Sequence, residues 1–287
     1  MEVVSLTPRG YCHGVVRAID IVLRAAKDPD VPGPIHVLGP IVHNAHVSTM
    51  LADHGVITLD PPSKRKLEAL ESIVEGTVVF TAHGIDEAIR KRASDKGLHI
   101  IDATCPDVKA SFEVISSHVA KGRVVLFIGR KNHPESEAAR SISPSVKHLE
   151  NVEDVDALPD MTEDIVLLAQ TTMSAQDIER LVVAAKVRFP NAIDEAIACH
   201  ATRIRQEAVS RQDDDIELCI VVGDEKSHNT RKLVEISKTL GVDAIRVADA
   251  DELPLKRLQG LKRVSVTSGA STPETVTKRV IEKLESL

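Results

Sequence analysis

The chain has 287 residues but contains no tryptophan, one tyrosine and four phenylalanines. Proteins that stack nucleic-acid bases on aromatic side chains need more aromatic residues than this. The net charge is −7, which also disfavours binding to nucleic acids or to anionic membranes. The sequence has no apolar run of roughly 18 residues, which is the length of a membrane-spanning helix. We also recognise no signal peptide at its start. We therefore expect a cytoplasmic protein that binds neither nucleic acid nor membrane.

The four cysteines lack the closely spaced pairs that are typical of structural zinc sites. Three of them instead repeat at nearly equal spacing, because Cys12, Cys105 and Cys199 are separated by 93 and 94 residues. The fourth, Cys219, lies inside the apolar run LCIVV and has no equivalent in the other repeats. We predict that Cys219 is a small core residue, the usual role of a single buried cysteine.

The neighbourhoods of the three spaced cysteines also repeat. Each cysteine is followed by apolar residues at helical spacing, and then by a short apolar run typical of a buried strand. Each of these runs ends in a glycine and a polar loop, and a further strand ends in small polar residues. The three strand-ending glycines are Gly39, Gly129 and Gly223.

Strands that alternate with helices predict parallel α/β units, whose ligands bind beyond the carboxyl ends of the strands. The sequence therefore predicts an α/β fold of three small domains related by pseudo-threefold symmetry around a central site. The predicted domains are 1–98, 99–192 and 193–287.

One thiolate from each repeat could form a three-cysteine metal site. Three thiolates without a local pair suit a [4Fe–4S] cluster with one open iron, and a helix that starts after each cysteine favours the anionic thiolate. The alternative is that each cysteine is a small buried residue. Equal spacing and shared context favour the ligand interpretation.

Nine segments, in order, resemble the LytB family of 4-hydroxy-3-methylbut-2-enyl diphosphate reductases, and the first and eighth resemble its Bacillus-type branch. The resemblance covers nearly the whole chain. The segments are PRGYCHGV, VHNAH, TAHG, DATCPDV, NHPE, AQTTMS, CHATRIRQEAV, VVGDEKSHN and SGASTP.

The resemblance implies the last step of the methylerythritol phosphate pathway of isoprenoid synthesis. In this two-electron reductive dehydroxylation, an allylic alcohol diphosphate becomes isopentenyl and dimethylallyl diphosphates. It implies one [4Fe–4S] cluster held by Cys12, Cys105 and Cys199, with the fourth iron open. It also implies that Glu135 donates a proton and that the Thr171 hydroxyl links this acid to the substrate.

The resemblance further implies a set of polar residues that bind the substrate and its diphosphate. The third repeat departs from the family pattern, which often has Ser or Asn at the position of His228. No comparable argument applies to the other histidines, which we interpret as surface or packing residues or as residues that support the site from behind. The implied substrate-binding residues are His43, His83, His133, Thr171, Ser227, His228, Asn229 and Ser271.

The sequence has no GxGxxG fingerprint after a strand, so we do not expect a Rossmann pocket for NADPH. Ferredoxin or flavodoxin is the expected electron donor, with NADP(H) acting only upstream of it. Two alternatives stay open. One is a lyase of the quinolinate synthase type, which also draws three cysteines from three domains but performs no net reduction. The other is a metal-free module that binds a phosphorylated metabolite.

Overall fold

The computed structural model describes residues 1–61 and 65–287, in which strands and helices alternate. The strands are β1 (Glu2–Ser5), β2 (Ile35–Leu38), β3 (Ile57–Leu59), β4 (Thr77–Phe80), β5 (His99–Asp102), β6 (Val124–Ile128), β7 (Val146–Leu149), β8 (Ile165–Ala169), β9 (Ile193–Asp194), β10 (Leu218–Val222), β11 (Ala244–Val247) and β12 (Arg263–Ser268). The helices are α1 (His13–Lys27), α2 (Ala45–Ala52), α3 (Lys66–Glu71), α4 (Glu87–Asp95), α5 (Pro106–Ala120), α6 (Pro134–Ser141), α7 (Val152–Asp156), α8 (Ala175–Arg188), α9 (His200–Ser210), α10 (His228–Thr239), α11 (Leu255–Leu258) and α12 (Glu274–Glu285).

The strands form three four-stranded sheets in which the paired strands are parallel. Their strand orders are β3-β2-β4-β5, β7-β6-β8-β9 and β1-β12-β10-β11. Parallel strands need crossover connections, and helices supply many of them here. The predicted fold class of three small parallel α/β sheets is confirmed.

The strand before each cysteine belongs to a different sheet from the one we expected. The predicted domains 1–98, 99–192 and 193–287 place each of these strands in the same repeat as the cysteine that follows it. Instead, β5 pairs with β4 and β9 pairs with β8, whereas the Glu135 loop follows β6 of the other sheet. The reason is that β4-α4-β5 forms a βαβ unit, which pairs its own two strands. The three-domain division at 98/99 and 192/193 stays a prediction.

Two compact units can be distinguished. The first unit consists of Met1–Val16, His43–Val47 and His200–Leu287, and contains the sheet β1-β12-β10-β11. The second unit consists of Arg17–Val42 and Ser48–Cys199, and contains the other two sheets.

In the second unit, the strand β6 is buried along its whole length. Successive side chains of a strand point to opposite faces of the sheet. Leu126 and Ile128 accordingly join one apolar cluster, and Val125 and Phe127 join another. Burial on both faces explains why the sequence of this strand is a continuous apolar run rather than an alternating one.

In the first unit, β10 follows the same rule. Ile220 and Val222 pack into one apolar cluster, while Cys219 and Val221 pack into a second. Cys219 is fully buried, and this burial raises the pKa of its thiol. These surroundings fit the structural role predicted for Cys219. In the described part of the chain, no helix is long and apolar enough to cross a membrane.

Candidate functional site

The carboxyl group of Glu135 is held by Thr171 in the second unit. The Thr171 backbone N–H donates to Oε1 of Glu135 at 2.7 Å, and the Thr171 hydroxyl donates to Oε2 at 2.8 Å. Glu135 lies in the first turn of α6, which follows β6, and Thr171 follows β8. Because β6 and β8 are paired parallel strands, their carboxyl ends lie side by side. The structure thus brings the predicted acid and the predicted hydroxyl together.

Glu135 is only 1% exposed, and burial raises its pKa to about 7. The nearby Asp107 carboxylate acts in the same direction, while the two hydrogen bonds from Thr171 oppose the shift. A carboxyl group with a pKa near neutrality can hold a proton and release it during a reaction. The electrostatics of this site therefore suit a general acid.

Two of the predicted histidines lie close together beside this acid. The rings of His83 and His133 are 5.5 Å apart between centroids and nearly perpendicular. His133 caps the start of α6, because its Nδ1 accepts the Glu135 backbone N–H at 3.2 Å. An accepting Nδ1 puts the proton of the neutral ring on Nε2. His133 can therefore donate a hydrogen bond from Nε2.

Cys105 and Cys199 each follow a strand-end loop of the second unit and precede a helix. The Cys105 N–H donates to the Ala82 carbonyl at 3.0 Å, and the Cys199 N–H donates to the Thr171 carbonyl at 3.0 Å. Neither cysteine forms a disulfide, and both are partly exposed. A cavity of about 260 Å³ adjoins Cys199, and its polar lining residues are Asp107, Ser111, Thr171 and Glu195.

The first unit brings together Cys12, His43 and Ser271 through the loop that follows β12. The Cys12 N–H donates to the Ala270 carbonyl at 3.0 Å. The hydroxyl of the next residue, Ser271, donates to the His43 carbonyl at 3.1 Å. Cys12 is partly exposed, has a free thiol and directly precedes α1.

The remaining predicted residues of the first unit form the start of α10. Ser227 caps this helix by accepting the Thr230 N–H at 3.3 Å, and the side chains of His228 and Asn229 are buried. Within the described ranges, neither amide atom of the Asn229 side chain has a hydrogen-bond partner, although both are buried. An unpaired buried amide destabilises a protein by about 1–3 kcal/mol. Such an amide suits a polar ligand.

Close packing explains two of the three glycines that end the strands. A Cβ atom on Gly129 would lie 2.5 Å from Oγ of Ser136, and one on Gly223 would lie 2.5 Å from Oγ1 of Thr230. In both cases, the contacting hydroxyl belongs to the helix that begins after the polar loop. The glycine therefore lets the helix start approach the strand end closely.

Gln170 was missed by the sequence analysis. It is fully buried, and its Oε1 accepts from the Arg130 N–H at 3.0 Å and the Ser136 hydroxyl at 3.3 Å. Its Nε2 donates to the Thr172 hydroxyl at 2.6 Å. Gln170 thus joins residues on either side of the Glu135–Thr171 pair. The sequence signal that could have identified Gln170 is its position directly after the apolar run IVLLA.

Comparisons with known proteins identify a family. A family model described as LytB protein matches residues 3–285. Proteins from Bacillus cereus (strain B4264) and Bacillus mycoides (strain KBAB4), both named 4-hydroxy-3-methylbut-2-enyl diphosphate reductase, are 47% identical over 287 residues. The alignments cover 99% of this chain and 90% of each relative.

Two solved structures are also similar. The structure of the E-1-hydroxy-2-methyl-but-2-enyl-4-diphosphate reductase from Plasmodium falciparum has a TM-score of 0.89 and 32% identity, and covers 98% of this chain and 87% of that one. A structure described as (E)-4-hydroxy-3-methyl-but-2-enyl diphosphate reductase, the terminal enzyme of the non-mevalonate pathway, has a TM-score of 0.69 and 31% identity, with complete coverage of both chains.

Proposed function

The chain belongs to the LytB protein family, and from this membership we infer that it is a 4-hydroxy-3-methylbut-2-enyl diphosphate reductase. The reaction consumes two electrons and two protons, and yields isopentenyl or dimethylallyl diphosphate and water. The observation that carries the proposal is the buried Glu135 carboxyl group, with a pKa raised to about 7 and a Thr171 hydroxyl on Oε2.

We propose that Cys12, Cys105 and Cys199 hold one [4Fe–4S] cluster with an open fourth iron. The donor set fits this group because none of the three cysteines forms a disulfide, and each is partly exposed and followed by a helix. Helix starts favour anionic thiolates. When bound, the cluster supplies electrons and a Lewis-acidic iron. The fourth cysteine, Cys219, is fully buried in β10 and stays outside the set.

Glu135 acts as the general acid in this proposal. Hydroxide leaves an allylic carbon slowly unless its oxygen is protonated as the C–O bond breaks. Burial keeps part of the Glu135 population protonated at neutral pH, and the Thr171 hydroxyl can accept that proton while it passes its own proton onward. Water then leaves in place of hydroxide.

The diphosphate is held by hydrogen-bond donors among the predicted site residues. In the second unit, the neutral His133 donates from Nε2, and His83 lies beside it. In the first unit, the Asn229 amide gains the partners that it lacks, and the first-turn N–H of His228 adds a donor. The remaining proposed contacts are His43, Thr171, Ser227 and Ser271.

Electrons reach the protein from ferredoxin or flavodoxin in the cytoplasm, and NADPH acts only upstream of that carrier. This part of the proposal rests on the missing GxGxxG fingerprint. The lyase alternative performs no net reduction and has no support among the relatives described above, all of which are named reductases.

The test is anaerobic reconstitution with iron and sulfide, followed by turnover of 4-hydroxy-3-methylbut-2-enyl diphosphate with a low-potential reductant. We expect about one four-iron cluster per chain, and we expect mass spectrometry to detect isopentenyl and dimethylallyl diphosphates. A loaded protein that releases neither product would refute the reductase proposal. A protein that binds no iron would refute the cluster proposal.

A further inference from the structure

We propose that Arg205 is a positioning residue for Cys12, which fixes the loop that carries this cysteine and thereby sets the stability and reduction potential of the cluster. This inference rests on the proposed function, since it concerns a ligand of the proposed cluster. Arg205 was not among the residues singled out from the sequence.

The guanidinium group of Arg205 lies in the interior of the first unit. Arg205 belongs to α9 and is only 4% exposed. Its Nη1 donates to the Ala201 carbonyl at 2.9 Å, within the same helix. Its Nη2 donates to the Gly10 carbonyl at 2.8 Å, across 195 residues of sequence. Arg205 therefore ties the start of α9 to the residue two positions before Cys12.

Gly10 is held from its other side as well. Its N–H donates to Oγ of Ser268 at 2.8 Å, and its φ of +73° lies in the left-handed region. A Cβ atom at Gly10 would lie 3.1 Å from Oε2 of Glu274. Ser268 fixes the amide, Arg205 fixes the carbonyl and the glycine permits the turn. The direction in which the chain enters Cys12 thus depends on these contacts.

A lysine at position 205 could not make both of these hydrogen bonds in the same geometry. A guanidinium group is planar and presents several donors in a fixed fork, whereas an ammonium group is a single point of charge on a flexible stem. Two carbonyls on different segments need two donors at fixed positions. Groups that orient the ligands of a metal centre also tune its potential and its affinity. A positive charge near the cluster stabilises its reduced, more negative state.

The test compares R205Q and R205K with the matched control R211Q, all reconstituted anaerobically. Arg211 follows α9 and is exposed, where it pairs only with Glu207 among the contacts described. The measurements are the iron content, the rate of iron loss to a chelator and the midpoint potential from a redox titration followed by electron paramagnetic resonance.

We expect R205Q and R205K to lose iron about tenfold faster than the unaltered protein, the lower end of the effect of removing a group that orients a ligand. We also expect a more negative midpoint potential for R205Q, and no change for R211Q. A wild-type rate of iron loss and a wild-type potential in R205K would overturn the inference, and so would the same result in R205Q.

If R205Q fails to fold, as judged by circular dichroism, R205K decides the question, because it keeps the charge and most of the volume. An unaltered protein that binds no iron would refute the cluster proposal instead, before any variant is compared. The two failures are therefore distinguishable.

Discussion

The backbone carbonyl of Thr171 accepts a hydrogen bond from the N–H of Cys199 at 3.0 Å. The same threonine binds both carboxylate oxygens of Glu135, through its N–H and its hydroxyl. One residue therefore sets the distance between the proposed acid and a proposed cluster ligand. Two of its three contacts use backbone atoms and survive a change of side chain, so the hydroxyl can be tested by itself.

We predict that Thr171→Val lowers turnover by about 10², the scale of a lost proton-transfer group, and leaves the iron content unchanged. The hydroxyl also lowers the pKa of Glu135. Its removal should therefore shift the alkaline limb of the kcat profile to higher pH. The check is a pH–rate profile with a Thr171→Ser control, which should restore most of the rate. A profile in Thr171→Val equal to that of the unaltered enzyme would contradict the relay role.

Glu135→Gln keeps the size of the side chain but cannot release a proton. We expect turnover to fall by about 10² or more, with near-normal iron content and substrate affinity. The matched control is Glu137→Gln in the same helix, because Glu137 is partly exposed and pairs with Arg140. Equal loss of turnover in the two variants would assign the effect to α6 rather than to the acid.

The raised pKa of Glu135 also predicts a pH dependence of stability. The folded protein holds this proton up to pH of about 7, whereas the unfolded chain releases it near the ordinary value of 4.5. The stabilisation from the bound proton is complete below pH 4.5 and is lost as the pH rises through 7. The loss amounts to about 3 kcal/mol at most.

Urea unfolding of the protein without iron measures this effect. The difference in unfolding free energy between the unaltered protein and Glu135→Gln should decrease from pH 5 to pH 8. The use of a difference removes the contribution of all other titrating groups. A difference that stays constant over this range would place the pKa of Glu135 near its ordinary value.

The cysteine assignment has a direct test. We expect Cys12→Ser, Cys105→Ser and Cys199→Ser each to abolish the visible absorption of a thiolate-bound iron–sulfur centre. Cys219→Ser is the control, and should lower the unfolding free energy while the absorption remains, because Cys219 is buried in an apolar cluster. Loss of the absorption in Cys219→Ser but not in Cys12→Ser would reverse the assignment.

A substitution of Asn229 should change substrate affinity without lowering the stability of the free protein. Asn229→Leu removes a buried amide without partners, so the free protein should be as stable as the unaltered one or more stable. Substrate affinity should fall by about 10- to 100-fold, the effect of losing a hydrogen bond to a charged group. Thermal unfolding and equilibrium binding measure the two effects.

The control for Asn229→Leu is Asn151→Ala. The Asn151 side chain caps α7 by accepting the Asp154 N–H at 2.9 Å. Its removal should destabilise the protein by about 1 kcal/mol and leave binding unchanged. If Asn229→Leu instead destabilised the free protein and bound substrate normally, the amide would have a structural role.

The sequence was sufficient to predict features that depend on local pattern. Buried parallel strands and the helices after the cysteines follow from apolar periodicity, whereas the Glu135–Thr171 pair was implied by the resemblance to the LytB family. The sheet partners of β1, β5 and β9 did not follow, because pairing depends on which segments meet in space. β1 pairs with β12, for example, from the opposite end of the chain.

Gln170 and Arg205 were missed for the same reason. Gln170 accepts a hydrogen bond from a loop that lies 40 residues earlier in the chain. Arg205 donates a hydrogen bond to Gly10 across 195 residues. Neither contact has a local signature, since helices and strand ends contain many glutamines and arginines without such roles. Only the folded chain reveals which of them meet a carbonyl or an amide.

The pairing of β1 with β12 bears on the order of events during synthesis. Residues 2–5 are synthesised long before their pairing partners, residues 263–266, and the Cys12 N–H donates to the carbonyl of Ala270. Cys12 therefore reaches its final position only after residue 270 has been synthesised. Iron delivered before that point would meet an incomplete set of proposed ligands.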